Sequence, residues 1–163
     1  MELILTKASV KDIKQIAGIL DDATKRKLNY KDSAWGTTPW TDSELKEQLL
    51  SGYTYLVWIN DKPIGSFQIT YTQDNKWPNH SNDIVYLRKF AVINSYKNKN
   101  IGAEILNQIN TLLFNQKIKY LRLDCALNNK NLCKYYEQQG FIKYGEHTNK
   151  DKSIICLYQK QIN

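Results

Sequence analysis

The sequence predicts a mixed α/β fold, with helices on both faces of a mixed sheet, in the order β-α-α-β-β-β-α-β-α-β-β. Three observations predict it. Segments with apolar residues at period two alternate with segments at period 3.6. The early strands are joined by a turn short enough for an antiparallel hairpin. The later strand–helix–strand passage from Val92 to Leu121 needs a right-handed crossover, and hence a parallel pair.

Each element follows in turn. Glu2 to Lys7 reads as a short strand. Ser9 begins a helix, with Asp12 as a capping-box partner. Ile13, Ile16, Ala17, Leu20, Ala23 and Leu28 keep one apolar face. Asn29 to Pro39, with Trp35-Gly36-Thr37-Thr38-Pro39, breaks the period. Thr41 and Glu44 make a second capping box, Leu45, Leu49 and Leu50 form that helix's apolar face, and Gly52 ends it. Tyr53 to Ile59 and Ile64 to Tyr71 flank the turn Asn60-Asp61-Lys62-Pro63. A polar loop, Thr72 to Asp83, precedes a long strand from Ile84 to Val92. Ile101 to Phe114 is a helix with Ile101, Ile105, Ile109, Leu112 and Leu113 inward. Ile118 to Cys125 alternates as a strand, and Asn131 to Gln139 is a short helix ended by Gly140. Phe141 to Tyr144 and Ser153 to Tyr158 close the sheet.

With 163 residues the chain suits one domain, residues 1–163. Eleven Tyr and four Trp argue against disorder. The longest apolar stretch, Tyr55 to Ile59, falls far short of the roughly 20 residues a membrane span needs. Glu2 stands where an export signal carries basic residues, so none is expected. The net charge of +7 favours anionic partners such as nucleic acid or phosphorylated cofactors. Only Arg26, Arg88 and Arg122 are arginine, and lysines are spread from Lys7 to Lys160. Sequence-specific nucleic-acid reading is therefore disfavoured. Cys125, Cys133 and Cys156 are odd in number and form no CxxC pair, so a disulfide framework is not expected. Reduced thiols suit a cytoplasmic protein. His80 and His147 are too few for a metal cluster, and no metal is expected. Lysine and asparagine richness hints at an AT-rich bacterial genome.

The turn between the long strand and its crossover helix reads Asn94-Ser95-Tyr96-Lys97-Asn98-Lys99-Asn100-Ile101-Gly102. A helix start leaves about four N–H groups unpaired, and its dipole attracts an anion. Lys97 and Lys99 add charge, Gly102 allows close backbone approach, and Asn98 and Asn100 tolerate left-handed geometry. The turn suits a pyrophosphate, although a solvated Lys/Asn connection has the same local features.

Downstream stand Leu121-Arg122-Leu123-Asp124-Cys125 and Asn129 to Phe141, the latter holding Tyr135-Tyr136-Glu137 and Gly140-Phe141. This pattern resembles the GCN5-related N-acetyltransferase (GNAT) superfamily. That family carries a strand ending L-x-L-[DE]-V, then N-x-x-A-x-x-L-Y-x-x-x-G-F. Asn129, Leu132, Tyr135, Tyr136, Gly140 and Phe141 fall on the second segment, with Leu for Ala and Tyr for Leu. Lys97 to Gly102 falls on the family's [QR]-x-x-G-x-[GA] motif, after Leu87-Arg88-Lys89-Phe90-Ala91-Val92. Lys97 replaces Arg or Gln, and Asn100 replaces the first Gly, where its Cβ costs something at a positive φ. It also resembles a branch with R-L-D-C and Y-Y-E motifs.

The resemblance implies a splayed sheet and acetyl-CoA-dependent acyl transfer to an amine. It implies that Lys97, Asn98, Lys99, Asn100, Ile101 and Gly102 hold the pyrophosphate. The strand edge at Phe90, Ala91 and Val92 pairs with pantetheine and supplies an oxyanion donor. Asn129 contacts the pantetheine, and Tyr136 sits near the thioester sulfur. Tyr136 is then the acid for the departing thiolate. Asp124 is the candidate base, with pairing to Arg122 or a lysine as its structural reading; Asp83 through a water chain is the alternative. Tyr86 and Arg88 are expected to face the cleft. Cys125 and Cys133 occupy apolar-periodic positions and are expected in the core rather than as nucleophiles.

The acceptor is expected between Asn29 and Trp40 and between Tyr71 and Asp83, the longest irregular segments. Trp35, Trp40 and Trp77, with Arg88, are the candidate acceptor-binding residues; an aromatic wall suits a cationic or planar amine. Asp21, Asp22, Asp32 and Asp42 attract an ammonium group or serve as solvated faces and caps. The acceptor is a small-molecule or peptide amine, and exposed sheet edges leave room for a homodimer. Two rivals remain. One is a non-catalytic GNAT fold that binds acyl-CoA or a partner; the other is a basic nucleic-acid module.

Overall fold

The computed structural model describes residues 2–163; Met1 lies outside the described residues. Seven strands form one sheet, β1 (Ile4–Lys7), β2 (Tyr53–Ile59), β3 (Lys62–Thr70), β4 (Ile84–Val92), β5 (Tyr120–Ala126), β6 (Ile142–Thr148) and β7 (Ile154–Gln161). Their spatial order is β1-β2-β3-β4-β5-β7-β6. All neighbours are antiparallel except β4 and β5, the parallel pair the crossover requires. Four helices complete the fold: α1 (Ile13–Asn29), α2 (Asp42–Ser51), α3 (Ile101–Asn115) and α4 (Lys130–Gln138).

Alternation along the strands splits the core into two layers. Val57, Leu121 and Leu123 pack with Ile105, Ile109 and Cys133 of α3 and α4. Leu56 and Ala91 pack on the other face with Ile16, Leu20 and Leu45 of α1 and α2. The mixed sheet covered on both sides is thus the predicted architecture.

Both capping boxes are present, Ser9 with Asp12 and Thr41 with Glu44, although Ser9 opens a 3₁₀ turn before α1 begins. One expected face differs: Leu50 is 89% exposed, and Gln48 is buried instead. Gln68 explains this, because its amide donates to the Gln48 carbonyl and Ser51 Oγ and seats α2 on β3 through polar contacts.

Candidate active site

The site begins where β4 and β5 part. Their register runs only from Ile84↔Tyr120 to Tyr86↔Arg122. From Leu87 and Leu123 onward the facing edges diverge, leaving a wedge. On its other side β4 carries a bulge. Ser66 pairs with Ala91 and Gln68 with Arg88, so Lys89 and Phe90 both oppose Phe67. Lys89 takes φ 51°, a left-handed value that few non-glycine residues adopt.

At the wide end of the wedge, α3 starts. Asn98 and Asn100 have φ 62° and 59°, the left-handed geometry their side chains tolerate. Asn100 is the N-cap of α3 but makes no side-chain cap bond, so the helix start is left without a capping group. Lys97 reaches the Tyr30 hydroxyl at 3.5 Å, and Lys99 lies 4.9 Å from the Tyr96 ring. Gly102 has a reason the sequence reading did not supply: a Cβ there would overlap the Tyr135 hydroxyl. That hydroxyl is buried without a hydrogen-bond partner, and burial pushes it up to about 12.

Tyr136 points into the α3/α4 layer, edge-on to Phe141 at 5.6 Å. Burial, with Cys125, Tyr135 and Asp124 adding to it, raises its hydroxyl well above the ordinary tyrosine value. It is a neutral donor at physiological pH. Cys125, Cys133 and Cys156 are buried and unpaired, and burial raises the Cys125 and Cys156 thiols, which makes neither a nucleophile.

Asn129 caps α4, accepting from the Leu132 N–H at 3.3 Å, and its amide donates to Asp32 at 2.9 Å. Asp32 is 1% exposed and pairs with Lys27. It is neither a solvated face nor free for an ammonium group. Burial works to raise its carboxyl, but hydrogen bonds from Asn129, Lys27 and the Ala34 N–H outweigh it and hold the group low. Asn128 also donates to the Lys31 carbonyl at 2.8 Å, so the α1–α2 loop is tied to the β5–α4 turn. Asp21 and Asp22 are likewise internal anchors, accepting the backbone N–H groups of Trp40 at 2.8 Å and Asn94 at 2.9 Å.

On the α1/α2 face the bulge turns Arg88 and Lys89 into one cavity of about 540 Å³, shared with Trp40, Glu44, Glu47 and Thr70. Trp35 and Trp40 meet edge to face at 6.4 Å. The chain's own cations stand against them: Lys89 lies 4.5 Å from the Trp40 ring centre and 5.3 Å from that of Trp35, and Lys27, paired with Asp32, lies 4.9 Å from that of Trp35. Arg88 lines the cavity but is committed to Asp74 at 2.7 Å.

Trp77 is a correction. It is 2% exposed, stacked by the Arg122 guanidinium at 4.3 Å and packed on Tyr86 and Tyr144. It covers the paired end of β4 and β5 and forms no wall with Trp35 and Trp40. Tyr86 is buried there too, so it does not face the cleft. Asp83 pairs with Lys119 at 2.9 Å beside the start of β4, the end away from the wedge. Asp124 does lie at the wedge, partly exposed, and pairs with Lys76 at 2.9 Å rather than with Arg122. Lys76 continues to Asp74 at 3.4 Å, which links Asp124 to Arg88 through alternating charges.

Sequence reading missed Lys89, Arg26 and the Lys27–Asp32 pair. Arg26 donates to the Val92 carbonyl and joins Asp22 at 3.2 Å. Its signal was available: it is one of three arginines in a chain that otherwise uses lysine.

A parted parallel pair, a bulge beside it and an uncapped helix start at its wide end make a cleft with an anion-accepting end. The chain belongs to the acetyltransferase (GNAT) family, whose model matches residues 20–141. It is therefore an acyltransferase that uses acetyl-CoA. No curated protein matches the sequence. Solved structures share the fold at low identity. A GNAT-family acetyltransferase from Streptococcus pneumoniae aligns with TM-score 0.73 and 20% identity, covering 99% of this chain and 100% of that one. An N-acetyltransferase from Staphylococcus aureus Mu50 aligns at 0.75 and 16%, covering 100% of each. AAC(6')-Ib in complex with ribostamycin and coenzyme A aligns at 0.79 and 18%, covering 99% and 94%.

Proposed function

We propose that residues 1–163 form one N-acetyltransferase domain in which a primary amine attacks the acetyl group directly, in a ternary complex. The observation that carries this reading is the coincidence, in a GNAT-family chain, of the open β4–β5 wedge with the uncapped start of α3. The residues fit coenzyme A. The N–H groups from Asn98 to Gly102, with Lys97 and Lys99, would hold the pyrophosphate. Phe90, Ala91 and Val92 would face the pantetheine arm. Asn129 would reach the same arm after yielding its bond to Asp32. Bound acetyl-CoA supplies an activated acyl group and a thiol leaving group.

The chain's own groups do the rest. Tyr136, neutral and buried, donates a hydrogen bond toward the sulfur position. A backbone N–H of the bulged segment polarises the carbonyl oxygen. Asp124, beside Lys76, takes the acceptor's proton. The acceptor enters from the α1/α2 face, past Trp35, Trp40 and Arg88. It is a small-molecule or peptide amine; AAC(6')-Ib, with ribostamycin bound, supports the small-molecule class. Unpaired buried cysteines favour a reducing cytoplasm, lysine and asparagine richness favours a bacterial source, and the exposed Ile142 on edge strand β6 favours a homodimer.

The test is calorimetric titration of acetyl-CoA into the protein and into Tyr136→Phe, then a thiol-release screen of amines. Micromolar binding to both, with thiol release about 100-fold slower in the variant alone, is expected. No binding at millimolar acetyl-CoA overturns the site.

A further inference from the structure

Lys89 differs from the other lysines of this chain in its placement. It sits in the β4 bulge with a left-handed backbone, immediately before Phe90 at the wedge. Its side chain enters the 540 Å³ cavity on the acceptor side, and its Nζ stands over the rings of Trp40 and Trp35. Among the described residues no carboxylate comes within ion-pair distance of it. Glu44 and Asp124 act on it only at longer range, and a half-buried cation without a contact ion pair either attracts an anion or gives up its proton. Burial, reinforced by Arg88, Lys27 and Lys76 and opposed by Asp124, pulls Lys89 down to about 8. More of the neutral amine is therefore present there at pH 7 than at an exposed lysine. A primary amine, partly neutral, beside two indoles and next to the strand segment proposed above to face the thioester, is what an acceptor would present to this site.

We propose that Lys89 is a self-acetylation site, an amine built into the acceptor chamber that takes the acetyl group of acetyl-CoA bound to the same chain. The Nζ lone pair forms a bond to the thioester carbonyl carbon. The carbon–sulfur bond breaks with its electrons on sulfur, and the proton lost by nitrogen ends on the thiol. The products are an N-acetyl-lysine and free coenzyme A, and no oxidant or further reactant is needed. The acetylated side chain is neutral and leaves Trp40 without its cation. The inference rests on the acetyl-CoA site proposed above.

The experiment incubates the purified full chain with acetyl-CoA and maps added acetyl groups by peptide mass spectrometry, with calorimetric binding measured in parallel. One acetyl group on Lys89 is expected, at a rate independent of protein concentration. It is absent from heat-denatured chain, and Lys89→Arg and Lys89→Met lose it while still binding acetyl-CoA. A second readout uses no cofactor. Trace acetic anhydride at neutral pH labels Lys89 ahead of the exposed lysines in the free protein, because more of it is neutral. Acetyl-CoA binding without modification of Lys89 overturns self-acetylation alone. Modification whose rate rises with protein concentration does the same, and so does anhydride labelling of Lys89 behind the exposed lysines. Absence of binding overturns the acetyl-CoA site and this proposal together.

Discussion

Tyr136 lies in the α3/α4 layer and Lys89 in the cavity on the α1/α2 face, and burial acts on them in the same sense, favouring the neutral form of each. For Tyr136 the neutral form is the hydrogen-bond donor. Tyr136→Phe removes one oxygen from a packed ring, so the fold and acetyl-CoA affinity should survive while kcat falls about 100-fold, the lower range for a positioned acid. Steady-state rates beside calorimetry check this, and an unchanged kcat removes Tyr136 from the mechanism. For Lys89 burial carries a cost in stability. Between about pH 8 and the ordinary lysine value, the unfolded chain binds a proton that the folded chain has released. Stability contributed at this position therefore rises with pH through that window. The stability of Lys89→Met relative to the parent should be greatest near pH 7 and shrink toward pH 10. Melting curves at both values read it, and a gap that does not change with pH contradicts the shift.

Elements meet at two contacts with measurable consequences. The first joins α3 to α4, where Gly102 faces the unpartnered hydroxyl of Tyr135. Gly102→Ala should cost about 1–3 kcal/mol by overpacking. Tyr135→Phe alone should be neutral or stabilising, since it removes a buried polar atom with no partner. The double variant should recover most of the loss. Denaturant unfolding of the four proteins measures the coupling, and strict additivity would sink the steric account. The second contact ties the α1–α2 loop to the α4 cap through Asp32, Lys27 and Asn129. Asp32→Ala leaves Lys27 without its partner and should destabilise the chain by about 3 kcal/mol. The contribution of Asp32 is present above the ordinary aspartate value and is lost as pH falls through its lowered native one. The penalty of the substitution should therefore fade in acid, which thermal melts at falling pH would show.

At the scale of the molecule, ligand linkage links site to fold. A ligand that binds only the native chain, at 100 times its Kd, stabilises it by about 2.7 kcal/mol. For a chain of this size that is roughly 5–10 °C in Tm. Acetyl-CoA should produce such a rise, and free acetate should not. The same scale separates what was legible in the sequence from what was not. The order of elements, both capping boxes, the parallel β4–β5 pair and the left-handed asparagines before α3 rest on local periodicity and local backbone preference, so residue spacing reveals them. The misreadings concern side chains whose partners lie far along the chain. Trp77 was read as part of an open aromatic wall, but Arg122, 45 positions away, stacks on it and closes it. Asp32 was read as solvated or as an ammonium site, but Asn129 and Lys27 bury it.

The family, the strand and helix order and the left-handed asparagine turn before α3 were legible in the sequence, because each is written in spacing or in a residue's own conformational preference. Folding alone decides which cations stand at Trp35 and Trp40 and which carboxylates are tied to partners. Burial and charge at those positions are set by neighbours that the chain brings together only on folding, and one bulge of a single residue in β4 is enough to turn Lys89 into the cavity.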